Sequence, residues 1–201
     1  MLVRKPLRVL AIVIVGVISE ISFLTVPYAQ GAIGDDNWFS VDPNPNAIVF
    51  MVTCDGPENV YVGGWFTRVG TTTANDVAKW NGSAWSTFGS GMNNSVEAFA
   101  PDGAGNVYAS GSFTTAGGSS ANYVAKWDGA AWSALGSGMN WSVRGLAYDG
   151  AGTLYAGGWF TTAGGTAANY VAKWNGSAWS SLGDGVNNYI EDIVWDGSGN
   201  V

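Results

Sequence analysis

From residue 59 onward, short apolar or alternating runs are separated by glycine-rich breaks, and the whole arrangement recurs along the chain. In the middle unit the runs cover residues 95–100, 106–113, 123–127 and 131–135. The breaks are Asp102-Gly103-Ala104-Gly105, Gly117-Gly118-Ser119, Asp128-Gly129 and Gly136-Ser137-Gly138. Runs of this length bounded by turn residues predict β-strands. Asp-Gly and Asn-Gly between apolar runs predict hairpins with type I′ turns, which need positive φ at both central residues. Outside the first 32 residues no window places apolar side chains at i, i+3, i+4 and i+7, so no helix is expected.

The period is 47 residues: Trp80, Trp127 and Trp174 share it, as do Trp85, Trp132 and Trp179, and Phe66, Phe113 and Phe160. Residues 106–152 and 153–199 match at 27 of 47 positions without a gap. A fixed period of about 40–50 residues marks a propeller or a solenoid. Four short antiparallel strands per unit decide for the propeller blade. The expected fold is therefore all-β, a β-propeller of four-stranded blades. Its units are 33–58 (an orphan outer strand at 37–41 and a first inner strand at 47–53), 59–105, 106–152, 153–199, and the start of a further unit at 200–201. Trp38 and Asp55 fall three periods before Trp179 and Asp196, which fixes the orphan strands. Three full blades are fewer than the four to eight of a ring. The reading is of an incomplete ring, a piece of a longer protein.

Tyr61-Val62-Gly63-Gly64, followed by Trp80 and Trp85, resembles a kelch-type blade, in which a hydrophobic strand ends in a glycine pair before two spaced aromatics. The units resemble more closely the kelch-like repeats of large bacterial surface proteins and of fungal cortical polarity markers. That pattern stands here as Tyr108-Ala-Ser-Gly-Ser-Phe-Thr-Thr-Ala-Gly-Gly, Val124-Ala-Lys-Trp-Asp-Gly and Trp132-Ser-Ala-Leu-Gly-Ser-Gly. The resemblance covers about residues 37–201 and implies a strand order a, b, c, d from the channel outward. In the middle unit the four runs would be a, b, c and d in turn.

Ahead of the repeats, Arg4, Lys5 and Arg8 precede an apolar run from Val9 to Ile18, with small residues at Ala29, Gly31 and Ala32. This is the form of an export signal over residues 1–32, cleaved after Gly31, with an uncleaved N-terminal anchor as the alternative. The protein is thus expected to be secreted or at the cell surface, with no membrane insertion beyond that segment. Past residue 32 only Arg68, Lys79, Lys126, Arg144 and Lys173 are basic, against fourteen acids. No nucleic-acid partner is expected from such a balance. The excess of glycine is turn chemistry repeated, with eight or nine per unit, and the 27 aromatics argue against disorder.

The chain has no His and one Cys. That removes most acid–base, triad and zinc chemistry, and no catalytic residue, metal or cofactor is expected. Cys54 reads as a small buried hydrophobe. The Asp-Gly-x-Gly-Asn turns at 102–106 and 196–200 faintly resemble calcium loops, but an Asx-type turn explains them, with Glu58 standing where other copies have Gly. Asn81, Asn93, Asn140 and Asn175 open sequons in form only. Lys79, Lys126 and Lys173 read as snorkelling stems. Phe66, Phe113, Phe160, Trp80, Trp127, Trp174, Trp85, Trp132 and Trp179 read as repeat core rather than as a sugar-stacking ring.

Function is expected where the copies differ. The d–a loops read Met92-Asn93-Asn94-Ser95-Val96-Glu97, Met139-Asn140-Trp141-Ser142-Val143-Arg144 and Val186-Asn187-Asn188-Tyr189-Ile190-Glu191, while the first b–c loop carries Arg68. In a propeller these loops share one face, and loops on a rigid scaffold are where binding resides. Arg68, Asn93, Asn94, Glu97, Asn140, Trp141, Arg144, Asn187, Asn188, Tyr189 and Glu191 are the candidate binding residues. The expected function is a non-enzymatic extracellular module that binds glycan or protein. Alternatives are a fragment of a carbohydrate-active enzyme whose catalytic residues lie elsewhere, and a spacer within a large surface protein. Glu97 and Glu191, two units apart, are the only obvious acid pair on this face, and that separation argues against hydrolysis.

Overall fold

The computed structural model describes residues 44–55 and 59–201. The expected export signal, the orphan strand at 37–41 with Trp38, and Glu58 lie outside these residues. Among the described residues the protein is all-β, with no helix, and contains three four-stranded antiparallel sheets. The first has β1 (Ile48–Asp55) and β2 (Asn59–Trp65), a small hairpin of β3 (Arg68–Val69) and β4 (Thr72–Thr73), then β5 (Val77–Trp80) and β6 (Trp85–Thr87). The second is built of β7 (Val96–Pro101), β8 (Val107–Gly111), β11 (Val124–Trp127) and β12 (Trp132–Ala134), with a separate small hairpin of β9 (Thr115–Ala116) and β10 (Ser119–Ser120) between β8 and β11. The third is built of β13 (Val143–Tyr148), β14 (Leu154–Gly158), β17 (Val171–Trp174) and β18 (Trp179–Ser181), with a separate small hairpin of β15 (Thr162–Ala163) and β16 (Thr166–Ala167) between β14 and β17. The sheet orders β1-β2-β5-β6, β7-β8-β11-β12 and β13-β14-β17-β18 are simple meanders, and they close no ring among the described residues.

The small hairpins β3–β4, β9–β10 and β15–β16 sit where glycine-rich breaks stood in the sequence. The turns joining β5 to β6 and its copies also differ from expectation. Trp80 pairs with Trp85, Trp127 with Trp132 and Trp174 with Trp179, so each loop holds four residues rather than two. Only the glycine of each loop has positive φ (90° at Gly82, 97° at Gly129, 94° at Gly176). The type I′ form gives way because the Asn or Asp side chain closes the turn itself. Asn81 Oδ1 accepts the N–H groups of Ser83 and Ala84 at 3.0 and 2.9 Å, and Asp128 and Asn175 do the same in their loops. The result brings each tryptophan pair into contact at a steep tilt, with ring centroids 5.6, 5.5 and 5.4 Å apart.

The sheets pack face to face through these rings. Trp132 Nε1 donates to the Phe88 carbonyl of the preceding sheet at 2.9 Å, and Trp179 Nε1 donates to the Leu135 carbonyl at 2.8 Å. Both tryptophans are buried. One apolar cluster joins Tyr61, Val77 and Phe88 of the first sheet to Val96, Phe99, Phe113 and Trp132 of the second. Another joins Tyr108, Val124 and Leu135 to Val143, Leu154, Phe160 and Trp179. A buried indole with its N–H satisfied contributes both area and direction to such a contact.

At one end of each sheet the first strand bulges against the second. The register shifts between Val49 and Met51, Val96 and Ala98, and Val143 and Gly145, leaving Phe50, Glu97 and Arg144 as the extra residues. Opposite each bulge lies a glycine. A Cβ on Gly64, Gly111 or Gly158 would come within 2.1–2.4 Å of the carbonyl oxygen of Ile48, Ser95 or Ser142. Replacing Gly111 by Ala should therefore destabilise the fold by about 3 kcal/mol or more, since backbone rather than a rotamer must yield. A midpoint in chemical denaturation close to that of the parent would show that the approach is not obligatory.

Asp76 is buried and adopts φ 64°, where the next copies have Tyr123 and Tyr170 at 66° and 65°. Its Oδ1 accepts the Phe66 N–H at 3.2 Å. Burial pushes its carboxyl up to about 6, and that hydrogen bond only partly offsets the shift. The raised value means that the folded state holds the proton longer than the unfolded state. Stability should then be highest near pH 4, fall as pH rises towards 6, and stay reduced above. Asp76→Asn keeps the acceptor and tolerates positive φ. It should stabilise the protein at pH 8 by roughly 2–3 kcal/mol and leave it unchanged near pH 4, as read by urea unfolding at both pH values.

Candidate functional site

The bulged end of the sheets gathers the loops that vary between copies. The linkers entering β1, β7 and β13 are stitched to the small hairpins through one asparagine each. Asn93 Oδ1 accepts the N–H groups of Thr114 and Thr115 at 2.8 and 2.9 Å, and its Nδ2 donates to Thr114 Oγ1 at 2.9 Å. Asn140 repeats this on Thr161 and Thr162, and Asn46 on Thr67 and Arg68. The side-chain amides of Asn93 and Asn140 are thus spent within the scaffold. A second asparagine ties the linkers entering β7 and β13, and the segment leaving β18, to the sheet before them: Asn75, Asn122 and Asn169 donate to the carbonyls of Ser90, Ser137 and Asp184. Asn94 and Asn188 accept the N–H groups of Ser95 and Tyr189 and remain exposed. Asn187 and Arg68 are exposed as well.

The bulge residues meet across the sheets. Arg144 donates through Nη1 to Glu97 Oε2 at 2.8 Å and through Nε to Glu191 Oε2 at 3.1 Å. One guanidinium thus links carboxylates one repeat away on either side. Burial opposes its charge, but Glu97 and Glu191 outweigh that and raise its pKa above the ordinary value. Glu97 is the hub of the array. Its Oε1 accepts the hydroxyls of Ser95 and Ser112 at 3.1 and 2.9 Å, and its Oε2 accepts that of Ser142 at 3.3 Å. With its side chain only 10% exposed, Glu97 is a saturated acceptor rather than a free acid. The two carboxylates considered as an acid pair are therefore bound to the same cation.

Around this array stand aromatic rings. Among the described residues every exposed aromatic side chain lies at this end: Phe50, Trp65, Trp141, Trp159 and Tyr189. Trp159 and Tyr189 are in contact, with centroids 5.3 Å apart, and the Arg144 guanidinium lies 5.4 Å from the Trp159 ring centre. Trp65 and Trp159 escaped the sequence reading because the middle copy has Ser112 at that position. The contrast of Trp, Ser and Trp at equivalent positions was the signal that could have found them.

Elsewhere the polar groups are turned to the scaffold. Asp102 Oδ1 accepts the N–H groups of Ala104 and Asn106 at 2.9 and 3.1 Å, closing an Asx turn. Burial raises its pKa, but the hydrogen bonds from Asn106 and Ala104 outweigh that and hold it below the ordinary value. Lys79 and Lys126 place their ammonium groups 5.4 and 5.3 Å from the ring centres of Tyr61 and Tyr108, their cross-strand partners. Burial pushes the half-buried Cys54 thiol up, away from the reactive thiolate.

No known family model matches the chain, and no curated protein shows significant similarity to it. The geometry therefore carries the functional argument alone.

The array separates two kinds of ion pair. Arg144→Gln leaves the shielded Glu97 without its cation and should cost about 2–3 kcal/mol, whereas Glu191→Gln, at a solvated pair, should cost less than about 1 kcal/mol. Equal losses on thermal unfolding of the two variants would show that Glu97 does not depend on Arg144.

Proposed function

We propose that the protein is an exported, non-enzymatic β-propeller repeat protein of the kelch-like kind, whose function is to bind a glycan or protein ligand through the bulged, linker-bearing end of its sheets. The observation that carries this reading is the segregation of exposed rings. Phe50, Trp65, Trp141, Trp159 and Tyr189 all stand at one end of the three sheets, while the remaining aromatic rings among the described residues are buried or half-buried. Exposed aromatic rings gathered at one end of a scaffold are a mark of an interaction site. The repeated asparagine and tryptophan hydrogen bonds make the scaffold stiff, so the rings are presented at little entropic cost on binding.

The charge pattern and the N-terminal sequence support the rest of the reading. Few basic residues remain beyond residue 32, which disfavours phosphate backbones as partners. The basic, apolar and small-residue segments at 1–32 support export to the cell surface or medium. The three four-stranded meanders, packed face to face through an indole latch, support propeller blades over separate sheets.

The test is binding of the full chain to arrayed glycans and to isolated cell-wall material. Saturable binding is expected, and a Trp141→Ser/Trp159→Ser double variant with unchanged circular dichroism should lose it. Absence of binding to either, together with turnover of some arrayed substrate, would overturn the reading.

A further inference from the structure

Resting on that reading, we propose that the corner formed by Trp159, Tyr189, Arg144 and Glu191 is a subsite for a neutral sugar ring, so that the ligand of the aromatic end is an uncharged glycan. The corner is preorganised. Trp159 N–H donates to the Ser142 carbonyl at 2.9 Å, and Ile190 N–H donates to the Gly158 carbonyl at 3.1 Å. These bonds fix the backbone beneath both rings. The Asn188 Oδ1 accepts the Tyr189 backbone N–H at 2.9 Å, ordering the linker that carries the second ring. The outcome is a composite platform of two tilted rings, 43% and 53% exposed, bordered by a guanidinium and a carboxylate.

Charge decides among ligand classes. A polyanion would need an uncommitted cation, and Arg144 is already shared between Glu97 and Glu191. An ammonium ligand over Trp159 would be repelled by the Arg144 guanidinium, which lies 5.4 Å from that ring's centre. A purely apolar peptide would strip water from the Glu191 carboxylate, whose side chain is 55% exposed, and leave its Oε1 without a partner. A neutral pyranose meets none of these objections. Its C–H face stacks on an aromatic ring, and its equatorial hydroxyls can donate to Glu191 and accept from Arg144 or the Asn188 amide. Glu191 gives only Oε2 to Arg144, so it can serve both. The middle copy, with Ser112 in place of Trp159, lacks the platform. The first copy has Trp65 but neither an arginine nor a glutamate at the bulge, where Phe50 stands.

The experiment is isothermal titration of the full chain with four probes: cellohexaose and N-acetylchitohexaose as neutral glycans, hexagalacturonate as an anion and spermine as a cation. At least one neutral hexaose should bind, and neither charged probe should compete with it. Trp159→Ala should weaken that binding about tenfold or more, while Trp159→Phe should stay within about threefold. Tyr189→Ser, in an exposed linker, provides a second variant should Trp159→Ala fail to fold, and it should also weaken binding. Ser133→Ala, on an outer strand, should have no effect. Tighter binding of spermine or hexagalacturonate overturns the inference. So does neutral-glycan binding untouched by either aromatic variant, or absence of binding to both neutral probes. Capture of a protein ligand at the same face without glycan binding would sink the inference while leaving the broader binding reading intact.

Discussion

The close approach of two backbones at the end of each sheet is the constraint from which the candidate site follows. The carbonyls of Ile48, Ser95 and Ser142 come so near to Gly64, Gly111 and Gly158 that no side chain fits between. Where the strands pinch in this way, the entering strand cannot keep its ladder and gains one residue, which leaves the pairing register. Phe50, Glu97 and Arg144 are those residues. Were the strands to pair without a bulge, each would join an ordinary alternation facing its own sheet's packing partner. Released from the ladder, Arg144 instead reaches acids one repeat away in both directions.

The rest of the scaffold serves to hold those ends in register. The linkers entering β7 and β13 are clamped on both sides by asparagine, to the hairpin of their own sheet and to the end of the preceding one. The glycine within the linker makes this possible. Gly91, Gly138 and Gly185 have φ of 76°, 72° and 77°, and a Cβ there would strike the Asn75, Asn122 or Asn169 carbonyl. At the outer strands, the indole latch from Trp132 to Phe88 and from Trp179 to Leu135 fixes the spacing of the sheets. Bonds that recur in every copy are thus the structural ones, and the side chains that change from copy to copy are left to the surface.

How much of this was legible in the sequence depends on the range of the interaction. The 47-residue period and the four runs per unit located the long strands to within a residue or two, because strand patterning and turn chemistry are local. The small hairpins were not legible. Thr115-Ala116 and Ser119-Ser120 carry no apolar alternation, and the hairpin is held by the linker residue Asn93, which accepts from the Thr114 and Thr115 N–H groups 21 and 22 residues away. The turn type was misread for a related reason, since a side-chain oxygen that caps two N–H groups competes with the backbone form that the dipeptide favours. Of the candidate binding residues, Glu97, Arg144 and Glu191 were marked by their changing charge, but their union in one array was not visible. That union needs the bulge, and a bulge leaves no trace in periodicity beyond one glycine. Asn93 and Asn140 looked like ligand groups because amides on loops are indistinguishable, by sequence alone, from amides that staple the loops.

The variable positions also constrain one another, which makes their variation more than drift on a solvated surface. The residue after the close-approach glycine is Trp65, Ser112 or Trp159, and the bulge residue opposite is Phe50, Glu97 or Arg144. Each pairing is chemically matched. Glu97 has Ser112, whose hydroxyl donates to it at 2.9 Å, and a tryptophan there would supply no such donor. Arg144 has Trp159, whose ring lies 5.4 Å from the guanidinium, and a serine there would leave that cation without its aromatic partner. Phe50 has Trp65, two apolar rings at one exposed corner. Signs alternate along the array as well: Glu97, Arg144 and Glu191 are neighbours in space, and two like charges at adjacent bulges would repel where the present ones bind. An identical scaffold therefore carries three locally self-consistent corners, apolar, polar and mixed aromatic–ionic, set side by side at one end of the sheets. A surface built in this way presents a different set of side chains at each repeat, and changing one corner demands a compensating change in its partner.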